Sequence, residues 1–238
     1  MGADFFRFKQ FIIKQSDAGM KVGVDSVLLG AWVIPDSSLH ILDVGSGTGL
    51  LALMMAQRFP DAIIDAVEID GDAHNQAIEN VENSIWNSRV RLICDDFINY
   101  AENCPSRYNL IICNPPYFTA SLKSANSKRS IARHNDSLPH SRLLTGATKL
   151  LAADGIFALV LPPAEAIALT AEAVKHGLFL KRTLHLQTLP SKPVYRILLE
   201  LSKTERQPEN QTLCIEKADR SDYTDDYKRL TKDFYLKF

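Results

Sequence analysis

Apolar residues along this chain arrive in two alternating rhythms. Runs of about five to seven, rich in Ile, Val and Leu and closed by glycine or an acidic residue, read as strands buried on both faces. The stretches between them repeat every three to four residues, the period of a helix with one apolar stripe. Strands are predicted at Leu39–Val44, Ala62–Asp70, Val90–Cys94, Tyr108–Cys113 and Gly155–Leu161, and helices over 50–58, 71–83, 138–151 and 163–176. Two more strands, near 178–189 and 194–201, are separated only by the turn Pro190-Ser191-Lys192-Pro193, so they pair antiparallel. This alternation predicts an α/β domain with seven strands, the last two antiparallel.

The flanks are different. Phe5–Ile13 mixes aromatic and basic residues in a stretch that can close as a short hairpin. Met20–Trp32 reads as a glycine turn entering a helix capped by Asp25 or Ser26, with Val27, Leu28 and Trp32 on its core side. Beyond Ser202 the chain is charged and ends in a short helix within Tyr223–Phe238, where Tyr227, Leu230, Phe234 and Tyr235 are the docking residues. The expected organisation is a hairpin and lid over 1–38, a main domain over 39–203 and a docking tail over 204–238.

Composition narrows the class. With 238 residues and 46% hydrophobic content the chain suits one large α/β domain. No apolar run reaches the ~18–20 residues of a membrane span. Arg7, Lys9 and Lys14 break any signal-peptide core, so a cytoplasmic protein is expected, and it is taken as a monomer. Cys94, Cys104, Cys113 and Cys214 form no C-x-x-C pair, and the six histidines lack metal-ligand spacing, with His40 and His185 in strands. Thiols in a reducing compartment, and no metal, are expected. The net charge of −1 hides an asymmetry: residues 39–113 carry 4 Lys/Arg against 11 Asp/Glu, and residues 114–238 carry 19 against 13. A basic second half permits an RNA partner, although solvated helix faces give the same count.

The chemistry sits where strands end. After the first core strand, Gly45-Ser46-Gly47-Thr48-Gly49 leads into a helix, and a glycine turn at a helix N-terminus binds anions. The glycines run G-x-G-x-G, and Leu50 stands where a dinucleotide fingerprint has Gly or Ala. Acidic residues frame the turn: Asp43 lies before it, and Glu68, at the end of the next strand, lies close to the ~20-residue offset at which a carboxylate meets ribose hydroxyls. Asp70 suits a helix N-cap. The third strand ends in Asp95-Asp96-Phe97, where either aspartate can accept from an adenine amino group while Phe97 packs on the ring.

The fourth strand ends in Asn114-Pro115-Pro116-Tyr117. A planar –NH2 group is a poor nucleophile because its lone pair is delocalised. Two acceptors aimed at its N–H bonds, the Asn114 side-chain oxygen and the Pro115 carbonyl, bias it towards tetrahedral geometry and stabilise the growing positive charge. Pro115 and Pro116 restrict φ, which preorganises those acceptors, and Tyr117 offers a ring on which a base can stack. The polar, basic stretch 118–135, with Lys123, Lys128, Arg129 and Arg133, follows as a loop able to clamp phosphates or simply to cross over. Lys21 and Asp25 are candidates for a cofactor lid.

Asp43-Val44-Gly45-Ser46-Gly47-Thr48-Gly49, Val67-Glu68-Ile69-Asp70 and Asn114-Pro115-Pro116-Tyr117 together resemble the class I S-adenosylmethionine-dependent amino-methyltransferases. Phe8-Lys9-Gln10-Phe11, Met20-Lys21-Val22-Gly23, Asp25, Leu28-Leu29-Gly30-Ala31-Trp32 and Phe234-Tyr235-Leu236 narrow the resemblance to the bacterial tRNA1(Val) (adenine(37)-N6)-methyltransferases. The resemblance implies a Rossmann-like sheet of seven mostly parallel strands with a reversed last strand and helices on both faces, S-adenosylmethionine as cofactor and S-adenosylhomocysteine as product, and a tRNA partner methylated on an adenine beside the anticodon. It implies cofactor contacts from Lys21, Asp25, Asp43, Gly45, Ser46, Gly47, Glu68, Ile69, Asp96, Phe97 and Asn114, with Asn114 and Tyr117 on the target base. Three other readings stay open. A glutamine methyltransferase acting on a release factor usually carries an N-terminal helical domain, and only 38 residues precede the first core strand. A DNA adenine methyltransferase needs a target-recognition domain. A binding protein on this fold would have no use for an intact Asn114 and Tyr117.

Overall fold

The computed structural model describes residues 4–16, 21–34, 40–115 and 138–238. Strands β1 (Phe5–Arg7) and β2 (Ile12–Lys14) pair antiparallel as a separate hairpin, with Phe6 opposite Ile13. Helix α1 (Val24–Trp32) follows. The main sheet and its helices are β3 (His40–Val44), α2 (Leu50–Arg58), β4 (Ile63–Glu68), α3 (Gly71–Glu82), β5 (Val90–Cys94), α4 (Phe97–Asn103), β6 (Tyr108–Cys113), α5 (His140–Leu150), β7 (Leu151–Leu161), α6 (Pro163–Ala173), β8 (Phe179–Gln187), β9 (Arg196–Ser202), β10 (Glu209–Cys214) and α7 (Asp225–Thr231).

The sheet runs β10-β8-β9-β7-β6-β3-β4-β5. Strand β9 is antiparallel to β7 and β8, and every other pair in this sheet is parallel. The chain winds outward from β3 to β5 and then returns to the other side of β3 as β6. This is the switch point at which open α/β sheets form a ligand crevice. The register aligns the strand ends there: Val44 pairs with both Val67 and Cys113, and Glu68 pairs with Cys94. Gly45, Ile69, Asp95 and Asn114 therefore all begin at one edge.

Side chains alternate across the sheet as period two requires. Ile41, Ile64, Leu110 and Ile112 face a layer containing α1, α2, the hairpin and the tail, and Leu42, Val44, Ile111 and Phe157 face α4, α5 and α6. Tyr227 and Phe234 are buried, with Leu230 and Tyr235 packed against the same layer, as the tail pattern predicts.

Two expectations need correction. The pattern predicts seven strands, and the structure has an eighth, β10. Its sequence, Glu-Asn-Gln-Thr-Leu-Cys, is exposed except at its end and joins β8 through parallel backbone pairing, so hydropathy carries no signal for it. The N-cap of α1 is Gly23, two to three residues earlier than expected, and Asp25 and Ser26 lie inside the first turn. Their side chains bond elsewhere: Asp25 to β9 and the residue before it, Ser26 to the end of β6.

Candidate active site

The turn after β3 is built by backbone conformation. Gly45, Gly47 and Gly49 have φ of +68°, +54° and +79°, the left-handed region that other L-residues avoid. A Cβ at Gly45 or Gly47 would meet nothing within 4 Å, so conformation rather than crowding demands glycine there and the loop's outer side is open. Gly45 N and Ser46 N donate to Val67 O at 2.8 and 3.1 Å, which ties the loop to the end of β4. Gly47 N donates to Glu68 Oε2 at 2.8 Å, and Asp70 N donates to the other oxygen at 2.9 Å. Glu68 thus buttresses the glycine loop with one oxygen and the entry to α3 with the other, and each has a further lone pair for a hydroxyl donor.

Asp43 is fully buried, and its Oδ2 accepts from Ala52 N, in the first turn of α2, at 3.0 Å. Burial raises its pKa from the ordinary 3.8 to about 7; the Ala52 bond works against this and the charge of Glu68 adds to it. Among the described residues, Asp43 Oδ1 and Ser46 Oγ are buried without a hydrogen-bond partner. Two such atoms beside an open glycine loop are polar capacity that the fold itself does not use.

At the end of β5, Asp96 caps α4: its Oδ1 accepts from Ile98 N and Asn99 N at 2.9 and 3.1 Å. Asp95 continues the ladder through Asp95 N to Glu68 O at 3.1 Å, and its carboxylate accepts from the Asn99 side chain. Phe97 corrects the expectation of a ring open to a ligand. Only 6% exposed, it packs where a Cβ on Gly146 of α5 would come within 2.6 Å of its ring. What Phe97 brings to the edge is its backbone, as the first residue of α4. Ile69 is the apolar surface there, 56% exposed beside Glu68.

Asn114 follows β6, next to the glycine loop, and its Nδ2 donates to Ser26 Oγ of α1 at 2.6 Å. Asp25 accepts from Tyr195 Oη at 3.1 Å and from Arg196 Nε at 2.9 Å. Lys21 is exposed on the segment entering α1.

Residues 18–170 match the methyltransferase small domain family. A tRNA1(Val) (adenine(37)-N6)-methyltransferase of Bacteroides fragilis (strain YCH46) is 44% identical over 238 residues, covering 100% of both chains. Its counterpart in Trichodesmium erythraeum (strain IMS101) is 45% identical over 240 residues, again 100% of both. The chain belongs to the tRNA1(Val) (adenine(37)-N6)-methyltransferase family. The crystal structure of a predicted O-methyltransferase from Agrobacterium tumefaciens superposes with a TM-score of 0.67 at 18% identity, over 88% of this chain and 96% of that one, which shows the shared fold.

In this family member the structure brings Asp43, Gly45, Ser46, Gly47, Glu68, Ile69, Asp96 and Asn114 to one edge of the sheet, with Pro115 following Asn114. Pro116, Tyr117, Lys123, Lys128, Arg129 and Arg133 lie outside the described residues. Sequence reasoning missed Ser26, Tyr195 and Arg196 as neighbours of the site. Ser26 and Asn114 are 88 positions apart, and a polar pair at that distance leaves no periodic trace.

Proposed function

We propose that this chain transfers a methyl group from S-adenosylmethionine to the N6 amino group of adenine 37 of tRNA1(Val). The observation that carries the reading is the adjacency of Asn114, at the end of β6, to the glycine loop at the end of β3, the two strands flanking the switch point. The residues fit the cofactor: orphaned polar atoms on Asp43 and Ser46, an open Gly45–Gly47 loop and a carboxylate on Glu68 suit an amino acid joined to a ribose.

S-adenosylmethionine would be held by Asp43 and the Gly45-Ser46-Gly47 loop, by Glu68 with Ile69, and by Asp96 with the backbone of Phe97, and Lys21 and Asp25 belong to the segment beside them. When bound, it supplies an electrophilic methyl on a sulfonium. The protein's own part is to prepare the nucleophile. Asn114 Oδ1 and the Pro115 carbonyl accept from the two N–H bonds of the adenine amino group, drawing its lone pair out of the ring and stabilising the positive charge that grows on nitrogen. These acceptors act without reorganising because the proline ring restricts the loop. The base must leave its stack to reach them, which costs least in a single-stranded loop. Lys123, Lys128, Arg129 and Arg133 would supply phosphate contacts.

The test is transfer of labelled methyl from S-adenosylmethionine to unmodified tRNA1(Val), read as N6-methyladenosine. Asn114→Ala should lower turnover roughly 10²–10³-fold, as for a lost preorganised polar contact, with cofactor affinity kept. Wild-type turnover in that variant would overturn the mechanism. Label in a release-factor glutamine and none in tRNA would overturn the substrate.

A further inference from the structure

We infer that Ser26 is a positioning residue for the transfer: its hydroxyl anchors the Asn114 amide against α1 and so holds it in place at the end of β6. The inference rests on the reading of Asn114 as an acceptor. An asparagine amide has two ends of nearly equal shape and opposite polarity, one accepting and one donating. Turned the wrong way, its –NH2 would oppose the adenine –NH2, donor against donor, and the methyl acceptor would be repelled where it should be polarised. Asn114 Nδ2 donates to Ser26 Oγ at 2.6 Å, which holds the amide against α1 with Oδ1 turned away from that helix.

Ser26 can do this only if α1 is itself fixed, and it is pinned at both ends. In its first turn Asp25 is held by Tyr195 Oη at 3.1 Å and by Arg196 Nε at 2.9 Å, an ion pair with side chains only 20% and 25% exposed. At its far end Arg58 donates to Gly30 O and Val33 O at 2.8 and 2.7 Å, and Arg182 donates to Trp32 O at 3.0 Å. The Ser26 hydroxyl is therefore carried on a helix bonded to α2, β8 and the start of β9. Its hold on Asn114 is a contact between two braced elements.

The test is a double-mutant cycle by single-turnover methyl transfer, with Ser26→Ala, Asn114→Ala and the combined variant, alongside Ser26→Thr and cofactor titrations on each. Ser26→Ala should lower the transfer rate about tenfold, the scale of one hydrogen bond's net contribution, while cofactor affinity and KM for tRNA stay at wild-type values. Ser26→Thr, which keeps the hydroxyl, should restore the rate. In the Asn114→Ala background Ser26→Ala should cost nothing further, because its partner is already gone. The same loss in both backgrounds, a wild-type rate for Ser26→Ala, or a Ser26→Thr as slow as Ser26→Ala would each overturn the assignment. If Asn114→Ala is slow and Ser26→Ala is not, only the Ser26 assignment fails. If Asn114→Ala transfers at the wild-type rate, the reading of Asn114 fails and takes this one with it.

Discussion

Asp43→Asn should make the ligand-free protein more stable at neutral pH, and the gain should vanish in acid. Asp43 is fully buried with one oxygen bonded to Ala52 N and the other without a partner among the described residues. Its pKa rises from 3.8 in the ordinary case to about 7 in the fold, mainly through burial. Between those values the native protein holds a proton that the unfolded chain has released. Raising the pH across that window therefore favours unfolding, and above about pH 7 the stability contributed by the neutral form is gone. At about 1.4 kcal/mol per pH unit the whole window amounts to about 4 kcal/mol. Asparagine keeps an oxygen for Ala52 N and never ionises, so it escapes the loss. Urea unfolding of both proteins, read as ΔG by linear extrapolation, should show them within about 1 kcal/mol of each other near pH 4.5 and separated by about 3 kcal/mol more at pH 8. The variant should bind S-adenosylmethionine more weakly, since the polar capacity at this position is what the ligand would use. Parallel stability curves for the two proteins from pH 4.5 to 8 would refute the reasoning, because they would mean Asp43 ionises in the fold as easily as in the unfolded chain.

Two further substitutions probe the frame. Arg182 makes two bonds to Glu200, which is 1% exposed, and lies 4.1 Å over the Trp32 ring; Arg182→Met leaves that carboxylate buried without its ion-pair partner. With only the Ile34 N bond at 3.3 Å left to that carboxylate among the described residues, the change should cost about 3 kcal/mol in chemical denaturation, most of it recovered in the double variant with Glu200→Met, and a loss below about 1 kcal/mol would deny the pair its role. Gly47→Ala forces an L-residue to φ of +54° where the added methyl meets no atom, so the cost is conformational alone, about 1–2 kcal/mol. Cofactor affinity should fall with it, and an unchanged unfolding midpoint would show that the loop relaxes without penalty.

The hydropathy pattern made the sheet legible because its central strands are buried on both faces and announce themselves as apolar runs. Tyr108–Cys113 and Val90–Cys94 form strands at the predicted bounds, and Asp70 caps α3 through Asp72 N and Ala73 N as its position suggests. Strand β10 was illegible for the opposite reason: an edge strand held by its backbone needs no apolar side chains. The site divides along the same line. Residues at strand ends follow from the topology, so Gly45, Glu68, the Asp95-Asp96 pair and Asn114 could be placed at one edge from the chain alone. What a side chain does once there depends on neighbours distant in sequence. Phe97 is spent on the core because Gly146 leaves room for it, and Ser26 reaches Asn114 rather than capping its own helix.

The flanking segments follow from the same physics as brace rather than ornament. A hairpin of three-residue strands cannot stand alone in water. This one is held by its edges: Lys9 N donates to Phe234 O of the tail at 2.8 Å, and the Gln15 side chain accepts from Val22 N at 2.8 Å on the way into α1. Asn80 of α3, 2% exposed, completes the connection. Its oxygen accepts from Lys14 N at 2.8 Å, while its Nδ2 donates to Lys14 O and to Thr48 O, both at 2.9 Å. One buried amide thus joins the hairpin to the glycine loop. The hairpin segment is bonded both to the glycine loop that would bind the methyl donor and to the stretch that leads into α1. Its sequence therefore has to satisfy the geometry of the site as well as its own strand pairing.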